Sequence, residues 1–181
     1  MDIFATILVI FWAFLPAYLP NSAAVLAGGQ RPIDNGRKFR DKRILGDGKT
    51  WVGTLAGITA GAVLALILNY LNPVATQLTG LELPMFPLSI VLAFPAGAML
   101  GDITASFVKR RLDRERGAPL PLVDQLDFLA GALVLGALVN FNWLSSSLGL
   151  ELIAVAVVMT AVLHVTTNII GYRLGFKNEP W

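Results

Sequence analysis

The chain has 181 residues, 55% of them hydrophobic and 14% charged, with a formal net charge of +2 and a mean hydropathy of +0.67, where a soluble domain is about one quarter charged. Uncharged runs of 28 residues (3–30) and 32 residues (50–81) are more than the interior of a domain this size can hide, which excludes a soluble globular enzyme and a disordered chain. Cysteine is absent and His164 is the single histidine, so a disulfide scaffold, a cysteine nucleophile and a multi-histidine metal centre are excluded as well.

A bilayer core of about 30 Å takes about 20 apolar residues as a helix. Five runs meet that length, at about 3–27, 51–71, 86–108, 126–142 and 148–172. The expected fold is an all-α integral membrane protein, one domain of five transmembrane helices over 1–181, with loops at about 28–50 and 109–125. The runs are continuous rather than alternating, which argues against strands.

The first run has no basic start and is too long for a cleavable signal, so it is expected to stay as a span. Pro16 and Pro20 remove backbone donors inside it and are expected to bend it. Asn21 follows, and a polar amide there needs a partner. The loop at 28–50 carries seven bases, among them Arg43 and Lys49, with Asp34, Asp41 and Asp47 and five glycines. Glycine lets backbone N–H groups close around an anion. Gly48-Lys49-Thr50 looks like the end of a P-loop, but Arg43 stands where that motif requires glycine and no buried strand precedes it, so a P-loop is rejected. Lys49 and Thr50 instead lie at the start of the second span, where unpaired N–H groups suit phosphate. Gly53, Gly57 and Gly61 recur every fourth residue, a pattern of close helix packing within or between chains. Residues 72–87, with three prolines, read as a loop.

In the third span Asp102, Ser106 and Lys109 share one helical face, at i, i+4 and i+7. An acid six residues inside a span is a functional group by default, with a structural ion pair as the alternative. Arg110 and Arg111 follow. Asp124 and Asp127 open the fourth span one turn apart; a helix cap explains the first but not the second. With Asp102 they make an oxygen-rich set suited to a hard cation. Mg²⁺ is typically held by one or two carboxylates plus substrate phosphates, and nearby bases bind the remaining phosphate charge. The fifth span contains His164, Thr166, Thr167 and Asn168, and the lone His164 reads as a hydrogen-bonded packing residue rather than a catalyst.

All 14 bases fall in 28–50, 109–125 and the tail, where Arg173 and Lys177 lie; 72–85, 143–147 and the N-terminus hold none. Five spans put the three basic regions on one side, and the positive-inside rule makes that side cytoplasmic, with the N-terminus outside and the C-terminus cytoplasmic.

These residues resemble the CDP-archaeol synthase family. The likeness rests on Arg31-Pro-Ile-Asp34-x-Gly36, Leu45-Gly-Asp-Gly-Lys-Thr-Trp51-x-Gly53, Gly101-Asp-x-x-x-Ser106-Phe-x-Lys-Arg-Arg111, and Gly117, Pro121 and Asp124-Gln-Leu-Asp127-Phe. It spans nearly the whole chain. The resemblance implies a cell-membrane enzyme of archaeal phospholipid biosynthesis. Its reaction joins CTP and 2,3-bis-O-geranylgeranyl-sn-glycerol 1-phosphate into the CDP-lipid and releases pyrophosphate. The related CDP-diacylglycerol synthases also pair a serine with Lys-Arg and close on two aspartates three apart. Their signature has Arg where Gln125 stands, and their His-Gly-Gly stretch is missing, so the likeness is to the archaeal branch rather than to enzymes of ester lipids.

Attack by a lipid phosphate oxygen on the α-phosphorus of CTP needs no protein nucleophile; positioning and electrostatics supply most of such catalysis. The roles expected are Mg²⁺ binding by Asp102, Asp124 and Asp127, and nucleotide binding by Arg43, Asp47, Lys49 and Thr50. Ser106, Lys109, Arg110 and Arg111 are expected on the lipid phosphate or pyrophosphate, with Asn21 and Asp34 as further candidates. A CDP-alcohol phosphotransferase would require Asp-Gly-x-x-Ala-Arg, which is absent. A transporter would favour paired halves and mid-bilayer acids, whereas this chain has no repeat and gathers its polar groups at one face. No nucleic-acid partner is expected, and the sequence leaves self-association open.

Overall fold

The computed structural model describes residues 2–114, 120 and 122–175; Arg116, Gly117, Pro121 and Lys177 lie outside them. Five helices carry the fold: α1 Ile3–Ala27, α2 Trp51–Thr79, α3 Leu88–Arg111, α4 Val123–Ser147 and α5 Leu150–Arg173. Each is long and apolar enough to cross a membrane. At 1.5 Å per residue they run about 36–44 Å, which exceeds a bilayer core of about 30 Å.

Several ends differ from the sequence reading. α2 passes through Pro73 to Thr79 and stops at Gly80 in the left-handed region (φ 68°), whereas 72–87 was expected to be loop. Proline removes one donor from an apolar helix without ending it, and two asparagines reward the continuation. Asn69 donates to the Phe86 carbonyl and accepts from the Phe86 amide, both at 2.7 Å, and Asn72 donates to the Leu83 carbonyl at 2.9 Å. Trp12 and Trp143 donate to the carbonyls of Pro84 (3.0 Å) and Met85 (2.7 Å). α1 likewise runs unbroken through Pro16 and Pro20. In α4 the backbone leaves helical geometry at Asn140, whose side chain accepts from the Trp143 amide (3.1 Å) and so restarts the helix. The basic loop also holds a small hairpin, β1 Lys38–Phe39 with β2 Lys42–Arg43, antiparallel with Lys38 opposite Arg43. Its turn residues Arg40 and Asp41 both have positive φ (51° and 63°). Such turns normally advertise themselves with Asn-Gly or Asp-Gly, so Arg-Asp gave no signal.

The core is aromatic. Phe14 stacks on Phe94 at 6.0 Å between ring centres, Tyr18 meets Phe128 edge-on, and Trp143 meets Phe94 edge-on. α3 packs against α1, α2 and α4. α5 is peripheral, burying Ala156, Thr160 and Asn168, and is tied to α1 by a 2.7 Å hydrogen bond between Tyr18 and Thr160.

Two glycine sets let backbones touch. Gly57 and Gly61 lie against the Pro20 and Pro16 carbonyls of α1 and against Met99 and Pro95 of α3, so the four-residue repeat serves packing within the chain. The second set was not read from the sequence. A β-carbon at Gly97 would sit 2.5 Å from the Gly131 carbonyl oxygen, and one at Gly101 would collide with the Asp127 backbone. α3 and α4 therefore cross at backbone contact beside Asp102 and Asp127. Overpacking a site of this kind costs about 1–3 kcal/mol or more. Gly101→Val is expected to lower the unfolding midpoint in detergent by several degrees. Gly149→Ala, whose added carbon meets nothing within 4 Å, is expected to leave it unchanged.

Candidate active site

The basic loop is organised around Asp34, whose carboxylate is buried. Arg43 grips it with two hydrogen bonds, Nε to Oδ2 at 3.1 Å and Nη2 to Oδ1 at 2.8 Å. The amides of Leu45 and Gly46 both donate to Oδ2 at 3.0 Å, and that of Gly36 to Oδ1 at 3.2 Å. The glycine-rich loop does enclose an anion, but the anion is its own aspartate. The Arg43 guanidinium beside Asp34 holds its carboxyl well below the usual carboxylate range, against the effect of burial and with help from the three amides. Asp34 and Asp47 in turn hold Arg43 in its charged form. From this knot the chain returns along residues 32–33, where the Ile33 amide donates to the Lys49 carbonyl at 2.8 Å. Thr50 then caps α2: its hydroxyl accepts from the Gly53 amide (3.0 Å) and donates to the Gly28 carbonyl (2.7 Å).

The loop thereby sets Lys49 over a cavity of about 260 Å³ to which all five helices or their ends contribute. Asn21 comes from α1, Lys49 and Thr50 from the start of α2, Asp102 and Lys109 from α3, Asp124 and Asp127 from α4, and His164 from α5. Two ion pairs cross it. Lys49 Nζ meets Asp102 Oδ2 at 2.5 Å, and Lys109 Nζ meets Asp124 Oδ1. The four side chains are 19–23% exposed. Asp124 Oδ2 also accepts from the Leu120 amide at 2.9 Å, and Asp127 Oδ1 accepts from the Phe128 amide at 2.6 Å. Formally, three carboxylates against two ammoniums leave the cavity one charge negative.

Among the described residues, no group of three or more His, Asp or Glu side chains gathers closely enough to hold one ion. The three aspartates share the cavity without sharing a coordination shell. The donor chemistry still suits a hard cation that takes one or two carboxylates and completes its shell with substrate phosphate. The Asn21 Oδ1 atom on the same wall is buried and meets no donor among the described residues, which leaves one more oxygen there.

The other expected site residues lie elsewhere. Arg43, Asp47 and Arg110 line a separate basic hollow with Lys42 and Arg114. Arg110 Nε donates to the Leu45 carbonyl at 3.4 Å. Arg111 is a staple between α3 and the hairpin, donating to the carbonyls of Phe39 (2.5 Å) and Arg43 (2.7 Å) and lying over the Phe39 and Phe107 rings. Ser106 stands one turn beyond Asp102, half-buried and off the cavity wall. Outside the bundle an apolar groove of about 500 Å³ runs between α3 and α4, lined by Leu100, Val134, Leu135 and Leu138 among others. Asp127 lines both the groove and the polar cavity.

A family model described as CarS-like, CDP-archaeol synthase, matches residues 3–181. The chain belongs to the CDP-archaeol synthase family. A CDP-archaeol synthase of Halobacterium salinarum is 52% identical to it over 181 residues, covering the whole of both chains. One of Halorubrum lacusprofundi is 54% identical over 171 residues, covering 94% of this chain and 95% of its own. Among solved structures, an intramembrane enzyme for archaeal membrane lipid biosynthesis superposes with a TM-score of 0.68 at 36% identity, over 88% of this chain and 92% of that one.

For this member of the CDP-archaeol synthase family, His164, read from the sequence as a hydrogen-bonded packing group, bonds to Asn168 and also lines the cavity. Its depth of about two turns inside α5 was the available signal, since that is also the depth of Asp102 in α3. Asp34 supplies a test of the loop. A carboxyl whose folded pKa is depressed contributes stability that is full above its unfolded value, near 3.9, and is lost as pH falls toward the folded value. Hydrogen exchange of residues 28–50 is therefore expected to accelerate as pH drops below about 4, beyond the intrinsic trend. Asp34→Asn is expected to loosen the loop by about 1–3 kcal/mol at neutral pH, because several donors lose a charged acceptor, and to flatten the acid dependence.

Proposed function

We propose that this chain transfers the cytidylyl group of CTP to 2,3-bis-O-geranylgeranyl-sn-glycerol 1-phosphate and releases pyrophosphate, with Mg²⁺ as cofactor. The observation that carries the reading is the cavity itself. Lys49, Lys109, Asp102, Asp124 and Asp127 line one polar chamber at the end of the bundle that bears the basic loops, in a chain of this family. The cation would be held by one or two of Asp102, Asp124 and Asp127, with the Asn21 carbonyl and substrate phosphate completing its shell. When bound, Mg²⁺ would neutralise triphosphate charge and stabilise the departing pyrophosphate. Lys49 and Lys109 orient phosphate oxygens by charge and by rotatable N–H donors. The positive end of α2, capped by Thr50, adds a field of the same sign. The five-helix walls keep the reacting oxygen in place, so that proximity and charge do the chemistry without a protein nucleophile.

The lipid reaches this chamber from the side. Its phosphate sits at the Asp127 corner while an isoprenoid chain lies in the α3–α4 groove. The protein spans the cell membrane with the cavity facing the cytoplasm, where CTP is, and with the N-terminus outside, in keeping with the placement of the bases.

Purified protein is expected to release pyrophosphate from CTP with Mg²⁺ only when the ether-lipid phosphate is present; no release with either ether or ester lipid would overturn the proposal. Asp127→Asn keeps the shape and removes the charge. It is expected to cut turnover by more than the ~10–100-fold that follows loss of an outer partner of a metal ligand. Val134→Trp, which fills the groove, is expected to raise KM for the lipid phosphate and leave KM for CTP unchanged. Because the chain has no cysteine, Lys38→Cys and Glu82→Cys each give a single label site. An impermeant thiol reagent is expected to reach only Glu82→Cys from outside.

A further inference from the structure

We infer that Lys49 and Lys109 compete with the divalent cation for the cavity carboxylates and pass to substrate phosphate when the cation takes them, so that cation and nucleotide bind as coupled partners. This rests on the proposed function and adds how the site is loaded. The two ammoniums sit on Asp102 and Asp124, the same oxygens a cation would use. A cation arriving alone must displace an ammonium that keeps no counter-charge, and it gains little. A triphosphate arriving alone meets a chamber lined by carboxylates, with both lysines already engaged. Arriving together, each removes the other's obstacle: phosphate draws the ammonium away, and the freed carboxylate takes the cation.

The choice of base supports this independently. The loop is locked chiefly by arginines, Arg43 on Asp34, Arg111 across the hairpin and Arg110 on the Leu45 carbonyl, with one exposed lysine pair, Lys42 on Asp113, beside them. A planar fork holds one geometry. Both bases on the cavity wall are lysines, whose flexible stems let a point charge move between partners a few ångströms apart.

The test uses the full chain in nanodiscs, with Lys49→Gln and Lys109→Gln. Mn²⁺ binding without nucleotide is read by electron paramagnetic resonance, and CTP binding in EDTA by equilibrium dialysis. Each substitution is expected to tighten Mn²⁺ binding about fivefold or more and to weaken metal-free CTP binding, because the lysine both competes with the cation and supplies charge to the phosphate. Opposite signs are the signature; a merely structural ion pair would weaken both together with the fold. Mn²⁺ affinity that is unchanged or lower in folded variants overturns the inference. If the glutamine variants do not fold, Lys49→Arg keeps the pair as a rigid fork, and is expected to hold Mn²⁺ affinity at or below the native value while CTP affinity falls; a rise in Mn²⁺ affinity there would also overturn it. A native protein that binds neither ligand when Mn²⁺ and CTP are supplied together overturns the functional proposal itself, which separates that failure from this one.

Discussion

A charge inside a helical bundle has to meet its opposite there, because the surrounding hydrocarbon will not solvate it. In this protein that requirement sets where the helices go at one end. Asp102 is answered by Lys49 from the start of α2, and Lys109 by Asp124 from the start of α4. Three helices are thus fastened by charges that also line the cavity. In the proposed function the fastening and the chemistry use the same atoms, so the site is not an addition to a finished scaffold.

Placement of these charges depends on two purely steric facts. α3 and α4 touch at Gly97, Gly101 and Gly131, which brings Gly101, the neighbour of Asp102, against the Asp127 backbone. The loop between α1 and α2 is rigid enough to present Lys49 because Asp34 satisfies three amides and a guanidinium at once. A conformation that gathers N–H groups around an oxyanion is usually taken as a sign of bound phosphate. Here a covalently attached carboxylate fills that place, and in the proposed function the phosphate-facing work falls to Lys49, which the loop positions.

The five helices were legible because length and hydropathy dictate them, and the cavity aspartates because an acid in a span is costly enough to need a reason. Lys49, Lys109 and Asn21 were legible for the same cause: each is polar where the bilayer or its edge is expected. What could not be read was the division of labour among bases of one loop. Arg43, Arg110 and Arg111 have the composition of phosphate binders, yet their donors go to Asp34 and to backbone carbonyls. One-dimensional spacing does not tell which carbonyl will be left over when a hairpin closes. The end of α2 was misjudged for a related reason. Pro73 is visible locally, while the partners that Asn69 and Asn72 find lie 11 to 17 residues away.

Those asparagines have a mechanical meaning. The far connection, residues 80–87, is sewn to α1, α2 and α4 by Trp12, Asn69, Asn72 and Trp143 through neutral hydrogen bonds to its backbone. The opposite end is joined by ionic contacts that charged solutes can exchange. Ionic strength therefore acts on the two faces unequally: screening weakens the ion pairs around the chamber and leaves the sewn loop as it is.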